Sequence, residues 1–161
     1  MVDDAGCTVG VVTRREMRAR RLPHRATYVL VFNGRGELFV HLRSAGKDIY
    51  PSHWDSCVGS VLAAGEEFDT GAARELAEEL GVEAPLQRLF PLHYDDAHTI
   101  VHGMVYRTQH DGPFHLQAEE VVRGEFLPLA AVEERASSAP FCPDGRAVLA
   151  QYRRWLDAER S

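Results

Sequence analysis

The chain is short of cysteine. It has three, Cys7, Cys57 and Cys142, far apart and without a CxxC pair. An odd, scattered set argues against a disulfide framework and fits a reducing cytoplasm. No stretch approaches the ~20 apolar residues of a membrane span. The N-terminus carries Asp3 and Asp4 and no apolar run of signal-peptide length. Positive charge is also scarce, with 18 Lys and Arg against 24 Asp and Glu and a net charge of −6. That balance argues against nonspecific binding to nucleic-acid polymers or anionic membranes, which reward a basic surface. Repeats, low-complexity tracts and Gly/Ser-rich linkers are absent.

What remains is ordinary for a packed protein: 161 residues, 45% hydrophobic and 26% charged. The length suits one domain over residues 1–161, which can bury roughly two thirds of its unfolded surface. Residues 7–13 read as a short strand and Arg14 to Arg21 as an arginine-rich helix. Ala26 to Phe32 is a β-branched and aromatic run, the mark of a strand buried on both faces. Asn33-Gly34-Arg35-Gly36 is a turn, and Glu37 to Leu42 returns as its hairpin partner. Trp54 to Leu62 reads as extended; Leu86 to Tyr94, Thr99 to Arg107 and Val121 to Leu127 read as strands. Asp69 to Leu80 is the clearest helix, capped by Asp69 or Thr70 and ended by Gly81. A last helix runs from Pro143 or Asp144 to about Ala158, with Val148, Tyr152, Trp155 and Leu156 as its apolar stripe.

The 69–80 helix carries three carboxylates, Glu75, Glu78 and Glu79, within an arc of roughly 100° at the helical repeat. Ala73, Leu76, Ala77 and Leu80 are expected on the core side. Like charges at this spacing repel and destabilise a helix. A hard divalent cation turns that repulsion into binding, because Mg²⁺ favours carboxylate oxygens, water and phosphates. The structural alternative is the solvated face of a surface helix.

The surrounding residues decide between these. Glu66, Arg74-Glu75-Leu76, Glu78-Glu79 and Gly81-Val82 stand in the register of the Nudix box, and the chain resembles the Nudix hydrolases over about residues 59–82. One position departs: the opening glycine is Ser60, although Gly59 precedes it. The resemblance implies an α/β/α sandwich with a mixed sheet, and hydrolysis of a phosphoanhydride in a nucleoside-diphosphate-like small molecule. It implies Glu75 and Glu79 as the principal ligands of Mg²⁺ or Mn²⁺, with Glu78 close by or acting through water and the Gly59 carbonyl completing the shell. Glu66 and Arg74 are implied as supports that orient the carboxylates. The general base is then one of the box glutamates or a glutamate from elsewhere, for which Glu119 and Glu120 are candidates.

Residues 23–66 also resemble the Nudix subgroup related to isopentenyl-diphosphate isomerase, through His24, Arg43, Lys47, Pro51 and Trp54. That likeness implies Arg43 and Lys47 as a grip on the substrate diphosphate. The isomerase cysteine and metal histidine are replaced by Gly59 and Val61, and Cys57 is two residues away, so hydrolysis is favoured. Isomerisation and a binding module without turnover are the alternatives. Trp54 and Tyr50 are candidates to stack on a base, with core packing the stronger expectation for Trp54. His93, His98, His102, His110 and His115 lack zinc-site spacing, and several are expected along the pocket. The arginines of 14–25 read as a solvated basic patch, and Glu133 and Glu134 as a surface helix turn. A homodimer is the default expectation for assembly.

Overall fold

A computed structural model describes residues 1–161. Its elements are α1 (Arg14–Ala19), β1 (His24–Phe32), β2 (Leu38–Arg43), β3 (Trp54–Asp55), α2 (Phe68–Leu80), β4 (Gln87–Asp95), β5 (Ile100–Gln109), β6 (Val121–Leu127), α3 (Leu129–Ser138) and α4 (Pro143–Glu159). The sheet runs β3-β2-β1-β5-β4, with β6 paired to β2. β1 and β5 are parallel from His24 against Val101 to Phe32 against Gln109, and every other strand pair is antiparallel.

Strand β1 is apolar on both sides because both sides are covered. Ala26, Tyr28 and Leu30 join a core with Val132 and Ala136 of α3 and Val148, Leu149 and Tyr152 of α4. Val29 and Val31 point the other way, against Ala72, Leu76 and Leu80 of α2. Period-two alternation in a strand, met by helices on both faces, yields an α/β/α sandwich with a mixed sheet. Leu76 and Leu80 are fully buried, each stabilising the fold by roughly 1.5–3 kcal/mol relative to exposure.

Several local expectations change. Residues 7–13 contain no strand, only an isolated bridge between Val2 and Thr8. The stretch from Trp54 forms a two-residue strand, after which Val58 and Val61 bridge singly to Val29 and Ala26. Helix α2 starts a residue early, at Phe68, and its N-cap Glu67 makes no side-chain capping bond. Asp69 is engaged by Tyr106 and by Arg88 at 2.6 Å instead. On α2 the buried set is Gly71, Ala72, Glu75, Leu76, Glu79 and Leu80, whereas Ala73 is exposed. The helix has turned so that two glutamates lie on its inward side. Glu133 and Glu134 sit within the ten-residue α3 rather than a single turn. No helix is long and apolar enough to cross a membrane.

Candidate active site

Helix α2 and the segment that runs into it form one wall of a cleft of about 450 Å³. Two features of the sequence fix that wall. Gly81 takes the left-handed conformation (φ 68°) and ends α2 with its amide bonded to the Ala77 carbonyl. Residues 58–62 run along β1: Val58 and Ser60 give their carbonyls to the amides of Val29 (2.7 Å) and Thr27 (3.0 Å). Gly59 lies so close to β1 that a Cβ there would collide with the Thr27 carbonyl. The glycine that the backbone requires is therefore Gly59, and Ser60 keeps an ordinary φ. In an extended segment successive carbonyls alternate in direction. That of Gly59 points away from β1 and accepts no hydrogen bond from the protein.

Glu75, Glu78 and Glu79 all line the cleft, but unequally. Glu75 and Glu79 are buried, each 6% exposed, whereas the Glu78 side chain is 51% exposed. Burial, then the Glu75 charge, pushes the Glu79 carboxyl up to about 8, with Lys47 and Arg43 opposing. Burial also raises Glu75, against the pull of Arg74. Arg74 holds the group together. Its Nε and Nη2 donate to Glu66 at 2.7 and 2.9 Å, and Nη1 donates to Glu75 at 2.6 Å and Glu78 at 3.1 Å. Glu66 also accepts from the Ala63 amide at 3.1 Å, which ties the 63–66 turn to the helix.

Two buried carboxylates, both raised by burial, facing a cleft, with the free Gly59 carbonyl in the adjoining segment, offer oxygen donors that suit a hard divalent cation. No three His, Cys, Asp or Glu side chains converge on one point, so water and substrate oxygens would have to complete the shell. Mg²⁺ ordinarily keeps several waters.

Arg43 and Lys47 line a smaller adjoining cavity that also includes Gly59 and Asp55. Arg43 donates to the carbonyls of Ile49 (2.9 Å) and Tyr50 (3.3 Å), pinning the 44–53 loop. Lys47 is ion-paired with Glu120, and burial beside Arg43 lowers its pKa. Glu120 lines the cleft; Glu119 is exposed and contributes only its carbonyl, to the Ser44 hydroxyl at 2.6 Å. His24 is buried, borders both cavities and engages the Leu22 carbonyl through Nδ1 at 2.9 Å.

Other expected pocket residues are elsewhere. None of His93, His98, His102, His110 and His115 lines the cleft. Trp54 packs against the guanidinium groups of Arg123 and Arg135, 5.3 and 4.4 Å from its ring centre. The Tyr50 hydroxyl donates to Asp96. The sequence reading missed a buried polar group below Arg43. There the Tyr28 hydroxyl donates to Asp144 at 3.1 Å, and burial beside Asp144 raises Asp55 to about 7. No spacing signal links residues 28, 55 and 144; only the packing of α4 on the sheet brings them together.

Comparison with known proteins gives a consistent answer. The profile of the NUDIX domain family matches residues 22–152. An uncharacterized Nudix hydrolase of Pseudomonas aeruginosa is 38% identical over 158 residues, covering 98% of this chain and 92% of its own. One from Streptomyces coelicolor is 39% identical over 162 residues, covering 98% and 89%. Among solved structures, DR0079 of Deinococcus radiodurans superposes with a TM-score of 0.83 at 21% identity, over 93% of this chain and 95% of that one. The NUDIX domain of Shewanella oneidensis NrtR, complexed with ADP ribose, gives a TM-score of 0.66 at 18% identity, over 90% and 99%.

Proposed function

Because the chain belongs to the Nudix hydrolase family, we propose that it is a Mg²⁺-dependent hydrolase of a phosphoanhydride bond. Its substrate is a small molecule with a nucleoside or other organic group on one side of a diphosphate. The whole chain, 1–161, acts as one Nudix domain. The observation that carries the reading is the pair of buried, mutually repelling carboxylates of Glu75 and Glu79 at the wall of the cleft. Burying two such groups without a cation is costly, and binding one offsets that cost.

Glu75, Glu79 and the Gly59 carbonyl would hold Mg²⁺ (or Mn²⁺), with Glu78 near by and reaching it through water. Bound there, the ion would neutralise phosphate oxygens and ease loss of a proton from the attacking water. The chain's own residues do the rest. Arg74 and Glu66 fix the orientation of the carboxylates. Arg43 and Lys47 supply positive charge beside the site for the diphosphate. Glu120, brought to the cleft on the loop before β6, takes a proton from water; Glu119 is the less well placed of the two. The fold relative that binds ADP ribose supports a soluble organic diphosphate as the substrate class. Three free thiols fit a cytoplasmic setting, and a homodimer remains the default assembly.

The test is direct. Purified protein with Mg²⁺ is incubated with a panel of nucleoside diphosphates and diphosphate-linked compounds, and released phosphate or nucleoside monophosphate is measured. Turnover that disappears with chelator and in Glu79→Gln supports the reading. No release from any compound favours a binding module. Conversion of isopentenyl diphosphate to its allylic isomer, against the Gly59 and Val61 replacements, would make it an isomerase.

A further inference from the structure

The cleft has a second wall that the box does not supply. Residues 1–17 precede the family match, which starts at residue 22. Yet Met1, Val2, Val11, Val12 and Met17 line the same cleft as Glu75 and Glu79. The segment is held in shape. The Val2 amide donates to the Pro23 carbonyl at 2.9 Å, the Met1 ammonium to Gly10 at 3.1 Å, and Asp3 accepts from the amides of Ala5 and Cys7 at 2.9 Å. Val2 and Met17 are buried at its base, while Val11 is 72% exposed at its edge. Together with the half-buried Met1 and Val12 it leaves contiguous aliphatic surface in the cleft that a ligand can cover.

No aromatic ring other than His24 lines the cleft. The two rings expected to stack on a base, Tyr50 and Trp54, are committed to Asp96 and to Arg123 and Arg135. Arg14 and Arg25 line the cleft as well, so it combines cations, carboxylates and aliphatic side chains. That combination matches a diphosphate carrying a flexible aliphatic substituent.

We propose that residues 1–17 form the specificity wall of the site and seat an aliphatic group attached to the substrate diphosphate. This rests on the Nudix reading above. In the simplest substrate, an alkyl diphosphate, water adds to one phosphorus and the bridging P–O bond breaks. The bridging oxygen leaves with the other phosphate. The products are alkyl phosphate, inorganic phosphate and one released proton.

The experiment compares kcat/KM of the full chain with Mg²⁺ on methyl, ethyl and butyl diphosphate and on adenosine diphosphate. The expected result is a rise of up to about fourfold per added methylene, the factor for burying one CH₂, with butyl preferred to adenosine. In Val11→Asp that dependence on chain length flattens; Val11 is exposed, so thermal melting should match wild type. Hydrolysis that proceeds with equal efficiency for all alkyl lengths, or with adenosine diphosphate preferred tenfold, overturns the wall assignment and leaves the Nudix chemistry standing. A Val11→Asp enzyme with the wild-type chain-length dependence overturns it as well. Absence of hydrolysis for every diphosphate removes both readings.

Discussion

Arg74 grips Glu66 with two parallel hydrogen bonds, 2.7 and 2.9 Å long, and reaches Glu75 with its third nitrogen at 2.6 Å. One guanidinium thus couples the turn before α2 to a buried carboxylate on it. A lysine cannot reproduce this fork. Arg74→Lys should lower kcat at least tenfold because Glu75 loses its orientation. The Arg74 side chain is 34% exposed, so after solvent screening the stability loss should be only about 1 kcal/mol. Steady-state kinetics and urea unfolding on the same preparation separate the two effects.

Glu79→Gln should reduce turnover at least a hundredfold with the fold intact, since the group is buried in the cleft wall and neutral amides are poor ligands for Mg²⁺. Circular dichroism with a substrate assay checks this. A variant with wild-type turnover would remove Glu79 from the site.

Metal-free protein should lose stability as pH rises from about 5 to 9. Glu79 and Asp55 are raised to about 8 and about 7, from ordinary values of 4.5 and 3.8. The folded state therefore holds more protons than the unfolded one across this window. Stability is fully present below the unfolded values and is lost as pH passes the folded ones. Urea midpoints in chelator at pH 5, 7 and 9 should fall in that order, and less steeply in Glu79→Gln. With Mg²⁺ the sense reverses for function. The ion competes with the same protons, so its affinity and turnover should rise from pH 6 to 9.

Glu120→Gln should lower kcat tenfold or more, whereas Glu119→Gln should stay within twofold of wild type. Glu120 lines the cleft and pairs with Lys47; the Glu119 side chain is in solvent. Equal effects from the two would mean that neither carboxylate serves the reaction through its position.

Trp54→Leu should destabilise the protein by about 2–3 kcal/mol through lost packing and cation–π contact and leave KM unchanged, because the ring packs against Arg123 and Arg135 and lies outside the cleft. Thermal melts and substrate titration read the two quantities.

Much of this architecture is legible in the residues themselves. The unbroken apolar run of β1 announces burial on both faces, and Gly81 marks the end of α2 through its left-handed turn. The box glutamates are identifiable because their register is tied to one helix. What is not legible depends on tertiary packing. Residues 7–13 have strand propensity but no strand to pair with, and Thr8, Gly10, Val11 and Val12 line a cleft instead. Ala73 and Ala72 are chemically equal, and only contact with the sheet chooses Ala72 for the core. The parallel pairing of β1 with β5 joins residues 24–32 to 101–109. It leaves no trace in local periodicity. The Lys47–Glu120 pair spans 73 residues and is equally silent in the sequence.

Isothermal titration of chelator-stripped protein with MgCl₂ and MnCl₂ addresses the acidic pair most directly. Wild type should take up the ion with release of protons, and Glu75→Gln and Glu79→Gln should each weaken uptake at least tenfold. Identical binding in all three proteins, or no heat of binding in wild type with or without a nucleotide present, would contradict a divalent-ion role for Glu75 and Glu79.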